Sequence, residues 1–136
     1  MPNSRSAPRL SLIVPAFNEE RYLPRLLDSV DVARKAYRGG RDAVEVVVAD
    51  NASTDGTAEL ARSRGCRVVR VEKRTIASAR NGGAGASAGS MLAFIDADTV
   101  SIHPRTFDAI EETLSRGGCV GGATGVRLER WSAGIA

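Results

Sequence analysis

The chain has 136 residues, of which 43% are hydrophobic and 26% charged, with a formal net charge of +3. That length suits one domain able to bury about two-thirds of the surface its unfolded chain exposes, and the balance is that of a globular protein rather than a disordered one. Apart from Lys35 and Lys73 the basic residues are arginines scattered along the chain, which argues against a nucleic-acid-binding face, and no apolar run is long enough for a membrane span.

Met1 to Arg9 is polar, lacks the apolar core of a signal peptide and reads as a flexible tail before a domain covering residues 10–136. Leu10–Val14 (LSLIV) is a short β-branched run ended by Pro15, the pattern of a buried strand. A helix follows from about Glu20. Leu23, Leu26, Leu27, Val30 and Ala33 recur at steps of three and four, Pro24 falls in the first turn, and Gly39-Gly40 supplies the stop.

Val44–Ala49 is a second strand, and Asn51–Gly56 (NASTDG) is a run of turn and capping residues. Thr54 or Asp55 can cap a helix over Thr57–Arg64, stopped by Gly65. Cys66 and Cys119 lack the spacing of a zinc or redox pair and read as small buried hydrophobes. Arg67–Val71 is a third strand. Ile76–Ala88 is helical in pattern, but Gly82, Gly83 and Gly85 weaken its middle. Met91–Ile95 is a fourth strand, apolar enough to be central. Pro104 opens a helix to about Ser115, and Cys119–Val126 is a further glycine-rich strand.

This β-α-β-α-β-α-β-α-β order predicts a three-layer α/β/α fold with a mainly parallel sheet and right-handed crossovers. In such sheets ligands sit beyond the carboxyl ends of the strands. The residues placed there are Pro15-Ala16-Phe17-Asn18-Glu19-Glu20 after the first strand, Asp50-Asn51-Ala52-Ser53 after the second and Asp96-Ala97-Asp98 after the fourth. Three strands thus end in carboxylates or amides on one edge of the sheet.

Asp96 and Asp98 are two apart, so in an extended segment their side chains point the same way. Two close carboxylates repel unless a cation joins them, and a hard ion such as Mg²⁺ or Mn²⁺ prefers oxygen ligands. An Asp-x-Asp alone also fits a plain polar loop. Asp50 can accept from a base edge or ribose, or serve as a turn residue. Arg80, in Ala79-Arg80-Asn81-Gly82-Gly83, can pair with a diphosphate oxygen or stand on the surface. His103, the sole histidine, reads most simply as a loop residue before a helix.

Taken together, LIVPAFNEE, VVVADNASTDGT, ARNGGA and FIDADT resemble the nucleotide-binding region of glycosyltransferase family 2, in that family's order over roughly residues 10–100. The resemblance implies a Rossmann-like GT-A nucleotide-binding half and an inverting transferase using a nucleotide-diphosphate sugar. It implies that Pro15, Ala16, Phe17 and Glu19 line the base and ribose pocket, that Asp50 contacts the base, and that Arg80 lies near the nucleotide. It further implies that Asp96-Ala97 borders the donor, with Asp96 facing ribose or metal, and that Asp98 ligates Mg²⁺ or Mn²⁺.

No residue matches the family's catalytic base, which is expected beyond residue 136, so the domain is expected to be incomplete at its C-terminal side. The acceptor (saccharide, lipid or small molecule) stays open. The expected setting is cytoplasmic, any contact with the inner membrane face coming from other regions. A non-catalytic nucleotide-binding fragment or module is the alternative. A dinucleotide-binding Rossmann domain fits less well, because the Gly83–Ala88 GxGxxA run does not follow a strand.

Overall fold

Strands and helices alternate along the chain in the computed structural model, which describes residues 7–119 and 121–123. The elements are β1 (Leu10–Ala16), α1 (Leu23–Ala36), a 3₁₀ turn (Arg41–Ala43), β2 (Val44–Asp50), α2 (Thr57–Ser63), β3 (Arg67–Arg70), α3 (Ile76–Ala86), β4 (Met91–Phe94) and α4 (Thr106–Leu114). The strands form one parallel sheet in the order β3-β2-β1-β4. The predicted α/β architecture with its parallel sheet is therefore the one observed.

Period-2 alternation sorts the two inner strands into two apolar faces. Leu10, Leu12 and Val14 of β1 and Val44, Val46 and Val48 of β2 join one core cluster with Leu23, Leu26, Leu27, Val30 and Ala33 of α1, Ala61 of α2 and Phe107 of α4. The five α1 positions read from the sequence are the five that are buried. Pro24 sits in the first turn of α1, and Arg34 and Lys35 in its last turn face the negative end of the helix dipole. The helix stops at Ala36, short of Gly39.

The opposite face carries α3, which packs on β1, β2 and β3. Its weak-looking middle has a packing reason. A Cβ on Gly83 would lie 2.5 Å from Ile13 Cγ2 and 3.4 Å from Ala49 Cβ, so the glycine lets the helix axis approach the sheet. Thr75 caps this helix, its hydroxyl accepting from the Ser78 amide at 3.0 Å.

Two expectations are corrected. Among the described residues β4 stands at the sheet edge, not its centre, and Leu92 and Phe94 are 39% and 47% exposed. Its apolar run matches that of an inner strand, yet α3 packs on β1, β2 and β3 rather than above it. The strand expected over Cys119–Val126 falls largely outside the described residues; Cys119 and residues 121–123 are not in strand. Trp131 also lies outside them.

Cys66 packs against the core, where burial pushes its thiol up to about 11. This fits an inert, space-filling cysteine.

Two alanine substitutions report on this packing. A Cβ on Gly89 would sit 2.7 Å from the Ser11 backbone nitrogen and 2.8 Å from the Leu10 carbonyl carbon, atoms that cannot retreat. Gly89→Ala is expected to cost about 1–3 kcal/mol. Gly85, helical and without a neighbour in reach, should instead gain up to about 0.5–1 kcal/mol from the same change. Urea-unfolding midpoints should move in opposite directions.

Candidate functional site

The sheet opens at the carboxyl ends of its strands. Pairing of β1 with β4 ends at Ile13–Phe94, whereas pairing with β2 continues to Ala16–Asp50. The Ile13 carbonyl accepts from the Ile95 amide and the Ala16 carbonyl from the Asn51 amide, so alternate residues of β1 address opposite neighbours. Pro15 then turns its nitrogen toward the side where β4 has already ended. A proline is tolerated in this inner strand because no ladder bond is asked of it.

A cleft of about 260 Å³ lies at the divergence. Pro15, Ala16, Phe17 and Glu19 line it from β1 and its loop, and Asp96, Ala97 and Asp98 from the β4 side. Asn51, Ile76 and Ala79 complete the wall. Seven of the predicted site residues thus meet in one place. Asp50 and Arg80 do not line it. Asp50 is buried, its Oδ1 accepting from the Ser53 amide at 3.1 Å and its Oδ2 3.9 Å from Arg70 Nη1. Its turn role is the one the geometry displays. Arg80 stands exposed on α3.

The Asp-x-Asp segment is not extended. β4 ends at Phe94, and the Thr99 amide donates to the Asp96 carbonyl at 3.0 Å, closing a turn. Ala97 is buried at its centre and both aspartates are exposed. The carboxylates reach the cleft because the turn anchors on Ala97, not because of strand alternation.

Glu19 feels this arrangement. Partial burial, then the negative charges of Asp98, Asp55 and Asp96, raise its pKa above the ordinary 4.5. Among the described residues neither Asp96 nor Asp98 has an ion-pair partner, and no three acidic, histidine or cysteine side chains form a metal-ligand set. The donors available are two exposed carboxylates beside a third that resists ionisation. That set fits a hard divalent ion that completes its shell with water and ligand phosphate, not a full protein cage.

Two loops that shape the cleft are locked together. Asn18, at φ +51°, accepts on Oδ1 from the Thr54 amide at 2.8 Å and the Asp55 amide at 3.3 Å, while its own amide donates to Ser53 Oγ at 2.9 Å. The Glu19 amide donates to Thr57 Oγ1 at 2.9 Å, and that hydroxyl donates to Asp55. Asp55 also accepts from the Thr57 amide at 2.9 Å, although Gly56 holds the N-cap position of α2. Ala52, at φ +59°, is the other non-glycine residue with positive φ among those described. Such backbones cluster where surrounding structure over-determines them.

Sequence reasoning missed Asn51, Ile76 and Ala79. Asn51 followed Asp50 as a turn residue; its side chain donates to the Val71 and Lys73 carbonyls, at 3.0 and 2.8 Å, tying β2 to the segment before α3. Ile76 and Ala79 share one face of α3 with Gly83, by helical spacing; Arg80, four residues after Ile76, stands at the exposed edge of that face and does not line the cleft. His103 stays outside the cleft lining, its Nδ1 accepting from the Arg105 amide at 3.1 Å ahead of α4.

Asn18→Ala removes an acceptor from two amides and leaves alanine in a left-handed conformation. A loss of about 1–3 kcal/mol in urea unfolding is expected, whereas Asn18→Asp, which keeps the acceptor, should stay close to wild type. For Glu19, a folded pKa raised above 4.5 means that the folded state holds its proton longer than the unfolded one. Stability from this group therefore falls as pH rises from the unfolded pKa through the folded one. Glu19→Gln should be more stable than wild type above that window, and the difference should vanish on acidification below it. Paired pH-stability curves check both the sign and the window.

Comparison with known proteins agrees with this geometry. The family model described as "Glycosyl transferase family 2" matches residues 11–127. The chain is 33% identical over 114 residues to the 4,4'-diaponeurosporenoate glycosyltransferase of Staphylococcus haemolyticus, a match covering 79% of this chain and 28% of that protein. Among solved structures, a mannosyltransferase from Pyrobaculum calidifontis in complex with GDP-Man and Mn²⁺ superposes with a TM-score of 0.67 at 29% identity, over 83% of this chain and 34% of that one. The glucosyl-3-phosphoglycerate synthase of Mycobacterium tuberculosis, in complex with Mn²⁺, UDP and phosphoglyceric acid, gives 0.64 at 28% identity over 82% and 40%. The chain spans between 13% and 36% of the length of the curated relatives it matches. With the family model running from the second residue of β1 past α4, through every residue that lines the cleft, the chain belongs to glycosyl transferase family 2.

Proposed function

We propose that this chain supplies the donor-binding half of a glycosyltransferase, taking a nucleotide-diphosphate sugar and a divalent ion into the cleft between β1 and β4. One observation carries the reading: an aromatic side chain, Phe17, and the exposed carboxylates of Asp96 and Asp98 line the same opening at the strand ends. A nucleotide sugar needs both surfaces, one for its planar base and one for the cation that accompanies its diphosphate. The solved relatives crystallised with GDP-Man and Mn²⁺, or with UDP and Mn²⁺, support the same pairing of ligand and metal.

Each residue has a part in this reading. Pro15, Ala16 and Phe17 form the apolar wall against the base and ribose. Asp98, with Asp96, holds Mg²⁺ or Mn²⁺. When bound, that ion supplies positive charge against the diphosphate that leaves as an acceptor hydroxyl displaces it, with inversion, from the anomeric carbon. Glu19, whose pKa is raised by partial burial and by the charges of Asp98, Asp55 and Asp96, lines the same opening. Asp50 and Arg80 lie outside the present lining, and in this reading binding brings them to the ligand. Among the described residues no helix is long and apolar enough to cross a membrane. The proposed setting of the reaction is the cytoplasm.

Calorimetric titration with UDP, with and without Mn²⁺, tests the proposal. Wild type should bind more tightly with the metal, and Asp98→Ala should lose that metal dependence while keeping its fold, since Asp98 is exposed. Equal, metal-enhanced affinity in wild type and variant would remove Asp98 from the metal site.

A further inference from the structure

We infer that Ser29 is a positioning residue for the carboxylates of Asp96 and Asp98: a hydroxyl on α1, away from the cleft lining, fixes the segment that carries them. The inference rests on the donor reading above and adds to it a residue outside the motifs that suggested that reading. Asp96 and Asp98 are exposed and make no ion pair among the described residues, so their backbone must place them. The bond from Thr99 to the Asp96 carbonyl closes the turn on itself. Among the described residues, one hydrogen bond joins residues 96–102 to another element: the Ile102 amide donates to Ser29 Oγ at 3.0 Å.

The surroundings of that hydroxyl fix its direction. Ser29 Oγ donates its proton to the Leu26 carbonyl, one turn back, at 2.8 Å. Its lone pairs are left for Ile102, so one small group bonds its own helix and still accepts from outside. The Ile102 side chain packs against the core, and Ala97 is buried. The segment is thus pinned at its middle by a side chain and at its far end by a side chain and the Ser29 bond. The same helix starts on the opposite bank of the cleft. The Glu19 carbonyl accepts from the Tyr22 and Leu23 amides, at 3.1 and 2.9 Å, as α1 begins. α1 therefore ties both banks, Glu19 on one side and the aspartate turn on the other, although none of its residues lines the cleft. An ion shared by the two aspartates and a diphosphate must fit a spacing that this helix sets.

Titration of UDP, with and without Mn²⁺, into wild type, Ser29→Ala, Ser29→Thr and Ser29→Ala combined with Asp98→Ala tests this. Ser29→Ala should reduce the enhancement of UDP affinity by Mn²⁺ roughly three- to tenfold and leave the metal-free affinity unchanged. Ser29→Thr keeps the hydroxyl and should restore the enhancement. In the Asp98→Ala background the same alanine should change nothing further, because both residues act through one ion. Ser29 is half-buried and alanine suits a helix, so the variants should fold, which melting curves check. If Ser29→Ala does not fold, Ser29→Val against Ser29→Thr, alike in shape and different in the hydroxyl, makes the same comparison. A lower melting temperature with the Mn²⁺ enhancement intact would make the bond structural only. A loss that Ser29→Thr does not restore, or one equal with and without metal, would take the hydroxyl out of metal positioning. Each of these overturns the inference. Failure of wild type to bind UDP at all, with or without Mn²⁺, would instead overturn the donor reading beneath it.

Discussion

The cleft exists because β1 has one more partner at its start than at its end. Up to Ile13 the strand is held on both sides, by β2 and β4; from Val14 onward only β2 holds it. Pro15 reinforces that asymmetry, since its nitrogen faces the vacated side and has no hydrogen to offer. A residue with an amide there would expose an unsatisfied donor or draw the β4 segment back into register. Instead the chain after β4 is free to turn at Asp96–Thr99 and set its carboxylates across from Phe17 and Glu19. An open parallel sheet places ligands where its strands part, and here a single imino acid helps set the point of parting.

What the parting creates, the loops must keep in shape. The β1–α1 and β2–α2 connections share Asn18, Ser53, Thr57 and Asp55 in one hydrogen-bonded set. Asp55 stays charged within it: burial opposes the charge, but hydrogen bonds from Thr57 and neighbouring amides hold its pKa below the ordinary range. Glu19, on the cleft side of the same set, moves the other way. Burial opposes the charge on both carboxylates, and they differ in what else they meet: hydrogen-bond donors for Asp55, other carboxylates for Glu19. Spending Asp55 on the scaffold leaves Glu19 to respond to what enters the cleft.

Much of this was legible in the sequence, for physical reasons that also explain the rest. The buried face of α1 was readable because five apolar residues at helical spacing have one way to meet a core. The strand ends were readable because polar residues directly after apolar runs must lie at a sheet edge. The place of β4 was not, because an apolar run reports what a strand can bury and not how far a helix extends over it; Leu92 and Phe94 stay exposed. The turn at Asp96–Thr99 was missed for a related reason, as strand alternation was carried past the last residue that pairs. Arg80 drew notice as part of a motif and Arg74 did not, since the contact of Arg74 with Phe17 joins residues far apart in the chain that only the fold brings together, with the guanidinium carbon 4.3 Å from the ring centroid.

The charge pattern of the cleft has a consequence for how ligands would enter it together. Two exposed carboxylates and a reluctant third make a poor site for a bare divalent ion, which would keep most of its water. A diphosphate arriving alone would meet the same carboxylates as repulsion. Each ligand supplies what the other lacks, because phosphate oxygens complete the ion's shell and the ion cancels the charge that faces the phosphates. Their affinities must then rise together, and linkage requires the rise to be equal in both directions. Cancelling the field of Asp96 and Asp98 would also remove part of what raises the Glu19 pKa, so that pKa should fall back toward its ordinary value as the ion settles. On the proposed donor reading, the want of an ion-pair partner for Asp96 and Asp98 among the described residues is not a defect of packing: a wall of like charge, held open by Pro15 and braced by Asn18, would favour the metal–nucleotide pair over either component alone.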